Sequence, residues 1–486
     1  MLSAPLFSDC LAFHLLTPPP PYGASGYTVL LSTPGGCLYL KFDLLFILYP
    51  CYLRFVMPGA TPVAEQVNWL FLDMNSYFAS VEQQVKPDLR GKPTAVVTVD
   101  ADSTVCIAAS YEAKAFGVTT GTSLGEARKK CPDLNVVVAR HELYVEYHEK
   151  IKEAVEQNCL HISKVVSIDE MECRLRGRDT QLSNAQELAR QVKQAIRSVG
   201  ETLRCSVGLA PNRFLAKVAS NMQKPDGLVT ITQSRLPEVL FSMKPRALPG
   251  IGHRMEQRLL SHGIETMEQL WRLDIDQMTQ LWGGVLGTRF WLKLRGSDFD
   301  EPESPTRSIS HQHVLPPELR TREQAAAVGK KLLHKAAVRL RQAKLWTSGM
   351  AIFVLFSKKQ NSKENGPNGY WLHSDRPVWE ASLRFPSCHD TITLVNIFQE
   401  AWKECPQQRP IMVSVALVDL VPENMRNMTL FDEMYGAEKF DRLAQVMDTV
   451  NAKYGSTTLY LGGIHKVREA APPRIAFKSI PDMNLK

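Results

Sequence analysis

From Trp69 onward, short apolar runs alternate with amphipathic stretches. WLFLDM (69–74) is apolar but for Asp73 and predicts a short buried strand, and NSYFASVEQQV (75–85) predicts a helix directly after it. Residues 94–108 give two strands around a turn, and 142–158 give a charged amphipathic helix. In 161–175, β-branched residues lead to a carboxylate pair and then to alternation, the pattern of two strands around a tight bend. A helix near 183–198 and a strand over 203–210 complete a mixed α/β or α+β region. Residues 235–296 read as short helices punctuated by glycine, and the acidic, Pro-containing DFDEPESPT (298–306) reads as a linker. Beyond it, strands near 308–314, 348–356, 370–384 and 411–420 enclose helices near 322–344 and 390–404. This is the βαββαβ order of a ferredoxin-like domain, with 357–369 as a long polar hairpin loop. The tail 426–486 holds one helix (436–453) and then Pro-rich coil.

The first sixty residues differ from the rest. Pro18–Pro21 stand in a row, charge is nearly absent before Lys41, and the apolar stretch 38–57 is interrupted by Lys41, Asp43 and Arg54. A signal peptide carries its basic residues ahead of the apolar run, and charges inside a membrane span are costly. The segment 1–66 is therefore expected to be a disordered or mis-started extension, with Met57 as an alternative start and no membrane association.

Composition narrows the class. The chain has 486 residues, 44% hydrophobic and 22% charged, which is ordinary for a globular protein of several domains. Ten cysteines without a C-x-x-C pair make neither a zinc finger nor a disulfide framework, and reduced thiols suit a cytoplasmic protein. The net charge of +7 is mild until it is located. Residues 307–344 hold nine Lys or Arg against two Glu, an excess equal to that of the whole chain. Val328, Leu332, Ala336 and Leu340 form the buried stripe of the helix there, so its cations occupy other faces.

Three acids end apolar strand text: Asp73 after WLFL, and Asp169 and Glu170 after KVVSI. Singly, such acids serve as turn or cap residues. If the two strands lie side by side, three carboxylates converge and repel unless divalent cations intervene. A pair of Mg²⁺ ions could then activate an attacking oxygen and stabilise a leaving one.

FLDMNSYFASVEQQ, ASYEAKAFGV, VVSIDE and CSVGLAPNRFLAKVASNMQKPDGL occur in this order, and together they resemble the Y-family translesion DNA polymerases of the DinB/UmuC type. The resemblance runs from about 68 to 455. It implies an α+β right-hand polymerase with a ferredoxin-like palm at 67–81 and 144–232 and small fingers at 82–143. A helix-hairpin-helix thumb would follow at 233–299, then a linker at 300–307, a ferredoxin-like little finger at 308–425 and the tail. It also implies template-directed, low-fidelity addition of dNTPs to a primer 3′ end with two Mg²⁺ ions, in damage-induced mutagenesis, by a monomer at the nucleoid. Asp73, Asp169, Glu170 and the main-chain carbonyl of Met74 would hold the metals. Tyr77 and Phe78 would line the nucleotide pocket, with Phe78 at the steric-gate position. Tyr111, Lys114 (where many relatives carry Arg) and Lys224 would contact the triphosphate. Asn75 replaces an acid common in DinB members at a position that is not a ligand.

The text 247–264 is similar to a helix-hairpin-helix, in which Gly250 and Gly252 let the amides of a helix N-terminus approach a phosphate. Arg320, Arg322, Lys330, Lys331, Lys335, Arg339 and Arg341 are the expected contacts of the little finger to primer–template DNA. NMTLF (427–431) resembles peptides that enter the bacterial sliding clamp, with Asn427, Leu430 and Phe431 as contacts. No exonuclease-like segment is read in the remainder. Two alternatives stay open: a catalytically weak accessory paralogue that binds DNA and clamp, and a nucleotide cyclase with a palm-like core.

Overall fold

The computed structural model describes residues 27–33, 36–42, 65–102, 104–158, 160–301, 305–357, 376–425, 437–455, 458–471 and 480. The chain divides into two units, 1–63 and 64–486. In the first, Tyr27–Thr33 pairs antiparallel with Gly36–Phe42, so the expected disordered extension contains a hairpin. The second unit begins at Glu65 among the described residues, with Gln66 bridged to Gln181.

The palm is a five-stranded sheet in the order 228–230, 205–210, 69–74, 170–174, 164–165. Its central strand, Trp69–Met74, is buried at all six positions, which is why its text is apolar at every position but Asp73. Leu70, Leu72 and Met74 face a core shared with Tyr144 and Ile151 of the helix His141–Asn158 and Val192 and Ile196 of Leu182–Val199. Trp69 and Phe71 face the helix Arg213–Met222 and the thumb. That helix runs so close to strand Cys205–Ala210 that a Cβ on Gly208 would lie 2.0 Å from the carbonyl of Ala216.

The fingers are a three-stranded sheet, Cys106–Ala109, Thr94–Val97 and Asn135–Val138, closed over Ala113, Leu124 and Ala127. The helices Tyr77–Val85 and His141–Asn158 cross from palm to fingers. Four short helices make the thumb: His253–Ser261, Met267–Arg272, Ile275–Trp282 and Val285–Leu294. Capping boxes at Thr266/Gln269 and Asp274/Gln277 satisfy the orphan amides of two of them.

The DFDEPESPT segment is not a free linker along its first residues. Asp298 accepts from Trp69 Nε1 at 2.9 Å and pairs with Arg174 at 3.0 Å, and Glu301 pairs with Arg213 and Lys293. Asp298 and Glu301 of the expected linker are thus bound to the palm and thumb.

The little finger has the predicted βαββαβ order. Its strands Ile309–Val314, Pro410–Pro422, Leu345–Phe356 and Val378–Cys388 are neighbours in that order and all antiparallel. Helices Arg322–Gln342 and Thr391–Trp402 cover one face. The predicted stripe of Val328, Leu332, Ala336 and Leu340 is buried there, but so are Lys331, Leu333, His334 and Ala337. The cause is the tail: the 3-10 turn Gly462–Val467 lays Ile464 and Val467 against the helix, followed by Ala471, where coil was expected. Most of the long polar hairpin loop predicted at 357–369 falls outside the described residues.

Burial and the nearby cations Arg339 and Lys335 push His311 down to about 4, and burial with Arg341 beside it does the same to His334. A depressed histidine binds its proton more readily in the unfolded chain, so the stability it confers is complete above about 6.5 and is lost as the pH falls toward 4. At pH 5 the loss is about 2 kcal/mol per histidine, taking 1.36 kcal/mol per pH unit. Melting of the full chain should therefore come at a lower temperature at pH 5 than at pH 7.5. The difference should shrink in a His311→Gln/His334→Gln variant.

Candidate active site

Asp73 lies directly opposite Glu170 in the antiparallel pairing of Trp69–Met74 with Glu170–Arg174. The Met74 amide donates to the Asp169 carbonyl at 2.8 Å, which sets the Met74 main chain beside the third acid. The three predicted carboxylates therefore meet at one sheet end. Ser167 Oγ donates to Asp169 Oδ1 at 2.6 Å and fixes that carboxylate.

Two lysines balance the cluster: Lys224 Nζ is 2.6 Å from Asp73 Oδ2, and Lys217 Nζ is 2.6 Å from Glu170 Oε2. Even so, burial pushes Asp73 up to about 6, since loss of water together with Glu170 and Asp169 outweighs the Lys224 ammonium. Asp169 is raised for the same first reason, against the Ser167 hydrogen bond. Among the described residues no three His, Cys, Asp or Glu side chains are grouped to hold an ion in this arrangement. The donor set still fits Mg²⁺, because three carboxylates and a main-chain carbonyl are hard oxygen ligands, and two of the carboxylates are here turned to lysines.

The aromatic pair separates. Tyr77 was expected in the nucleotide pocket, but it is 3% exposed and its hydroxyl donates to the Tyr144 carbonyl at 2.6 Å, so it belongs to the palm core. Adjacent helix positions point about 100° apart, and Phe78 takes the other direction. Its ring stacks on Tyr144 with centroids 4.4 Å apart and planes at 17°. Tyr144 in turn donates to Glu82, a fully buried carboxylate paired with Arg140. Across the site, Lys114 Nζ donates to Ser76 Oγ at 2.7 Å and lies 4.3 Å from the Tyr111 ring centroid. Burial and then the like charge of Lys224 lower Lys114, whereas burial and then Asp73 raise Tyr111. These residues from the fingers thus border the palm carboxylates.

Ser167, Lys217, Tyr144 and Glu82 were missed in the sequence, and Asn75 was noted without a role. Asn75 Oδ1 accepts from the Asp226 amide at 2.7 Å, while Asp226 pairs with Lys193 and Arg197; this pins the loop that carries Lys224. A signal existed for Glu82, an acid on the apolar side of a short helix. Lys217 gave none beyond its place in the NRFLAKVASNM helix.

Gly250 (φ 89°) and Gly252 precede the helix His253–Ser261, and a Cβ at either would meet nothing within 4 Å. The backbone there is open to the approach of a phosphate. In the little finger, several expected DNA contacts are engaged internally. Arg322 donates to the carbonyls of Trp402, Lys403 and Cys405; Lys331 donates to those of Arg468 and Ala470; Lys335 donates to that of Ala471. Arg341 forms a two-pronged pair with Asp448 and also donates to the His389 carbonyl. These four hold the tail and a helix end. Arg320, half-buried, donates to the Leu315 carbonyl; Lys330 is half-buried and Arg339 exposed. Asn427, Leu430 and Phe431 lie outside the described residues.

Two substitutions separate these roles. Arg341→Ala should destabilise the chain by about 3–5 kcal/mol, since it strands a partly buried Asp448, without changing the salt dependence of DNA binding. Arg339→Ala should leave the melting temperature in place and reduce the slope of log affinity against log salt by about 1.

Comparison with known proteins gives a consistent result. The profile of the impB/mucB/samB family matches residues 72–221, that of the DNA polymerase-iota thumb domain matches 246–298, and that of the impB/mucB/samB C-terminal domain matches 306–430. DNA polymerase IV of Moorella thermoacetica is 32% identical over 410 residues, covering 82% of this chain and 96% of the relative. DNA polymerase IV 1 of Bacillus subtilis is 27% identical over 433 residues, covering 87% and 97%. A chimeric Y-family DNA polymerase of known structure superposes with a TM-score of 0.58 at 22% identity, covering 73% of this chain and 99% of its own. Palm, fingers, thumb and little finger around one carboxylate cluster are the architecture of a DNA-directed DNA polymerase. Within that class the chain belongs to the impB/mucB/samB family, the Y-family translesion polymerases of the DinB type.

Proposed function

We propose that this polymerase adds dNTPs singly to a primer 3′ end with low fidelity, on damaged as well as intact template, and so contributes to damage-induced mutagenesis on nucleoid DNA. The observation that carries the reading is the placement of Asp73 opposite Glu170 with Asp169 at the same strand end. Asp73, Asp169, Glu170 and the Met74 carbonyl would hold two Mg²⁺ ions. When bound, these supply charge neutralisation and activation of the attacking 3′-oxygen. The chain's own residues do the positioning. Ser167 orients Asp169, and the Tyr144-backed ring of Phe78 closes the space beside the sugar. Tyr111, Lys114 and Lys224 surround the place where a triphosphate would lie, with lysine giving charge without the fork of an arginine.

The thumb amides after Gly250 and Gly252 would take a backbone phosphate, with Arg339 and Lys330 as further phosphate contacts. Among the described residues the helices of the little finger pack on one face of its sheet, and the other face would be the broad surface for a duplex. Asn427, Leu430 and Phe431 would engage a sliding clamp. Among the described residues no helix is long and apolar enough to cross a membrane.

The test is primer extension past an abasic site. The full chain should insert opposite the gap and continue, with misinsertion on intact template well above that of a proofreading enzyme. A complete stop one nucleotide before the lesion would refute the bypass reading.

A further inference from the structure

Two lysines stand where cations are expected, and neither is a chance surface pair. Lys217 projects from the helix Arg213–Met222 packed on the palm sheet, with Nζ 5.2 Å from the Phe71 ring centroid and 2.6 Å from Glu170 Oε2. Lys224 comes next, in the loop pinned by Asn75 and Asp226, with Nζ 2.6 Å from Asp73 Oδ2. Both acids are largely withdrawn from solvent, with side chains 19% and 9% exposed. Three carboxylates this close cannot share a sheet end uncompensated, and these ammonium groups provide the compensation.

Resting on the two-ion reading above, we propose that Lys217 and Lys224 are resident counter-cations. In the free enzyme they hold the carboxylate cluster together, and a divalent ion binds only by displacing them. The two lysines differ in where they can go once displaced. Lys224 lies within electrostatic reach of Lys114, which borders Tyr111, so a triphosphate entering there offers it a second anion. Lys217 is directed to Glu170, with Glu172 farther off. Nucleotide binding thus removes the competitor at Asp73, and ion and triphosphate strengthen each other's binding by linkage. Between turnovers the two lysines leave one carboxylate, that of Asp169, without an ammonium partner of its own, and the site takes up ions readily only when a nucleotide is present.

The test is Mn²⁺ binding to the full chain without DNA or nucleotide, read from the loss of the free-ion electron paramagnetic resonance signal. Lys217→Met and Lys224→Met should each bind Mn²⁺ roughly tenfold more tightly than the wild type, a typical coupling size, and the double variant more tightly still. Unchanged or weaker binding in both single variants at an unaltered melting temperature overturns the inference. Asp169→Ala separates it from the reading beneath: if that variant binds Mn²⁺ as the wild type does, the ion is elsewhere and the two-ion site falls. A second measurement needs no variant. Adding Mg²⁺ to the wild type should raise acylation of Lys217 and Lys224 by an N-hydroxysuccinimide ester, read by peptide mass spectrometry, with exposed Lys129 as the unchanged reference. No rise at either lysine overturns the proposal.

Discussion

Asp169→Ala should lower single-nucleotide addition by at least about a thousandfold, which corresponds to roughly 4 kcal/mol of transition-state stabilisation. The Asp169 main-chain carbonyl that receives the Met74 amide is retained in alanine, so the strand ends stay in place. What is lost is one carboxylate of the three and the acceptor of Ser167. Primer–template affinity should change by less than about threefold, because the proposed phosphate contacts belong to thumb and little finger. Single-turnover extension together with a band shift measures both quantities. Activity within tenfold of wild type would remove Asp169 from the catalytic set.

Phe78→Ala should reduce discrimination between dNTP and rNTP by roughly a hundredfold, a usual size for rejection of one hydroxyl by pocket shape. Stiffness is what gives the ring this effect. A lone ring at a helix start could swing aside, but Phe78 is stacked on Tyr144, which is held by its bond to Glu82, which is paired with Arg140. A 2′-hydroxyl would have to move this whole assembly. Addition of dNTPs should remain within about tenfold, since the acids and lysines are untouched. The measurement is the ratio of kcat/KM for the dNTP and rNTP matching one template base. An unchanged ratio would place the gate elsewhere.

Much of the site could be read in advance because its acids sit at the ends of strands whose apolar text fixes their place. WLFL is wholly buried and VVSI buried or half-buried, and the acid after each comes to the sheet end. The register that puts Asp73 opposite Glu170 is a tertiary fact, and so are the lysines, which arrive by way of a helix folded back over Phe71. Tyr77 and Phe78 show the limit of local text: neighbours of similar chemistry, one buried and hydrogen-bonded in the core and one half-buried and stacked on Tyr144.

The helix Arg322–Gln342 shows it more clearly. Its buried stripe was legible from periodicity alone. Its second covered face was not, because the segment that covers it is more than a hundred residues away and reads as coil. Cations that look solvated in sequence can be the ones a distant carbonyl requires. That segment also lies beyond the family's C-terminal match, which ends at 430.

The most direct test of the central claim is extension of one primer by one nucleotide with Mg²⁺. The full chain is offered each dNTP in turn opposite each of the four template bases. The complementary nucleotide should be added fastest in every case, with mismatches slower but visible and all addition lost without the divalent ion. No addition despite tight DNA binding, or addition indifferent to the template base, would contradict a template-directed polymerase built on Asp73, Asp169 and Glu170.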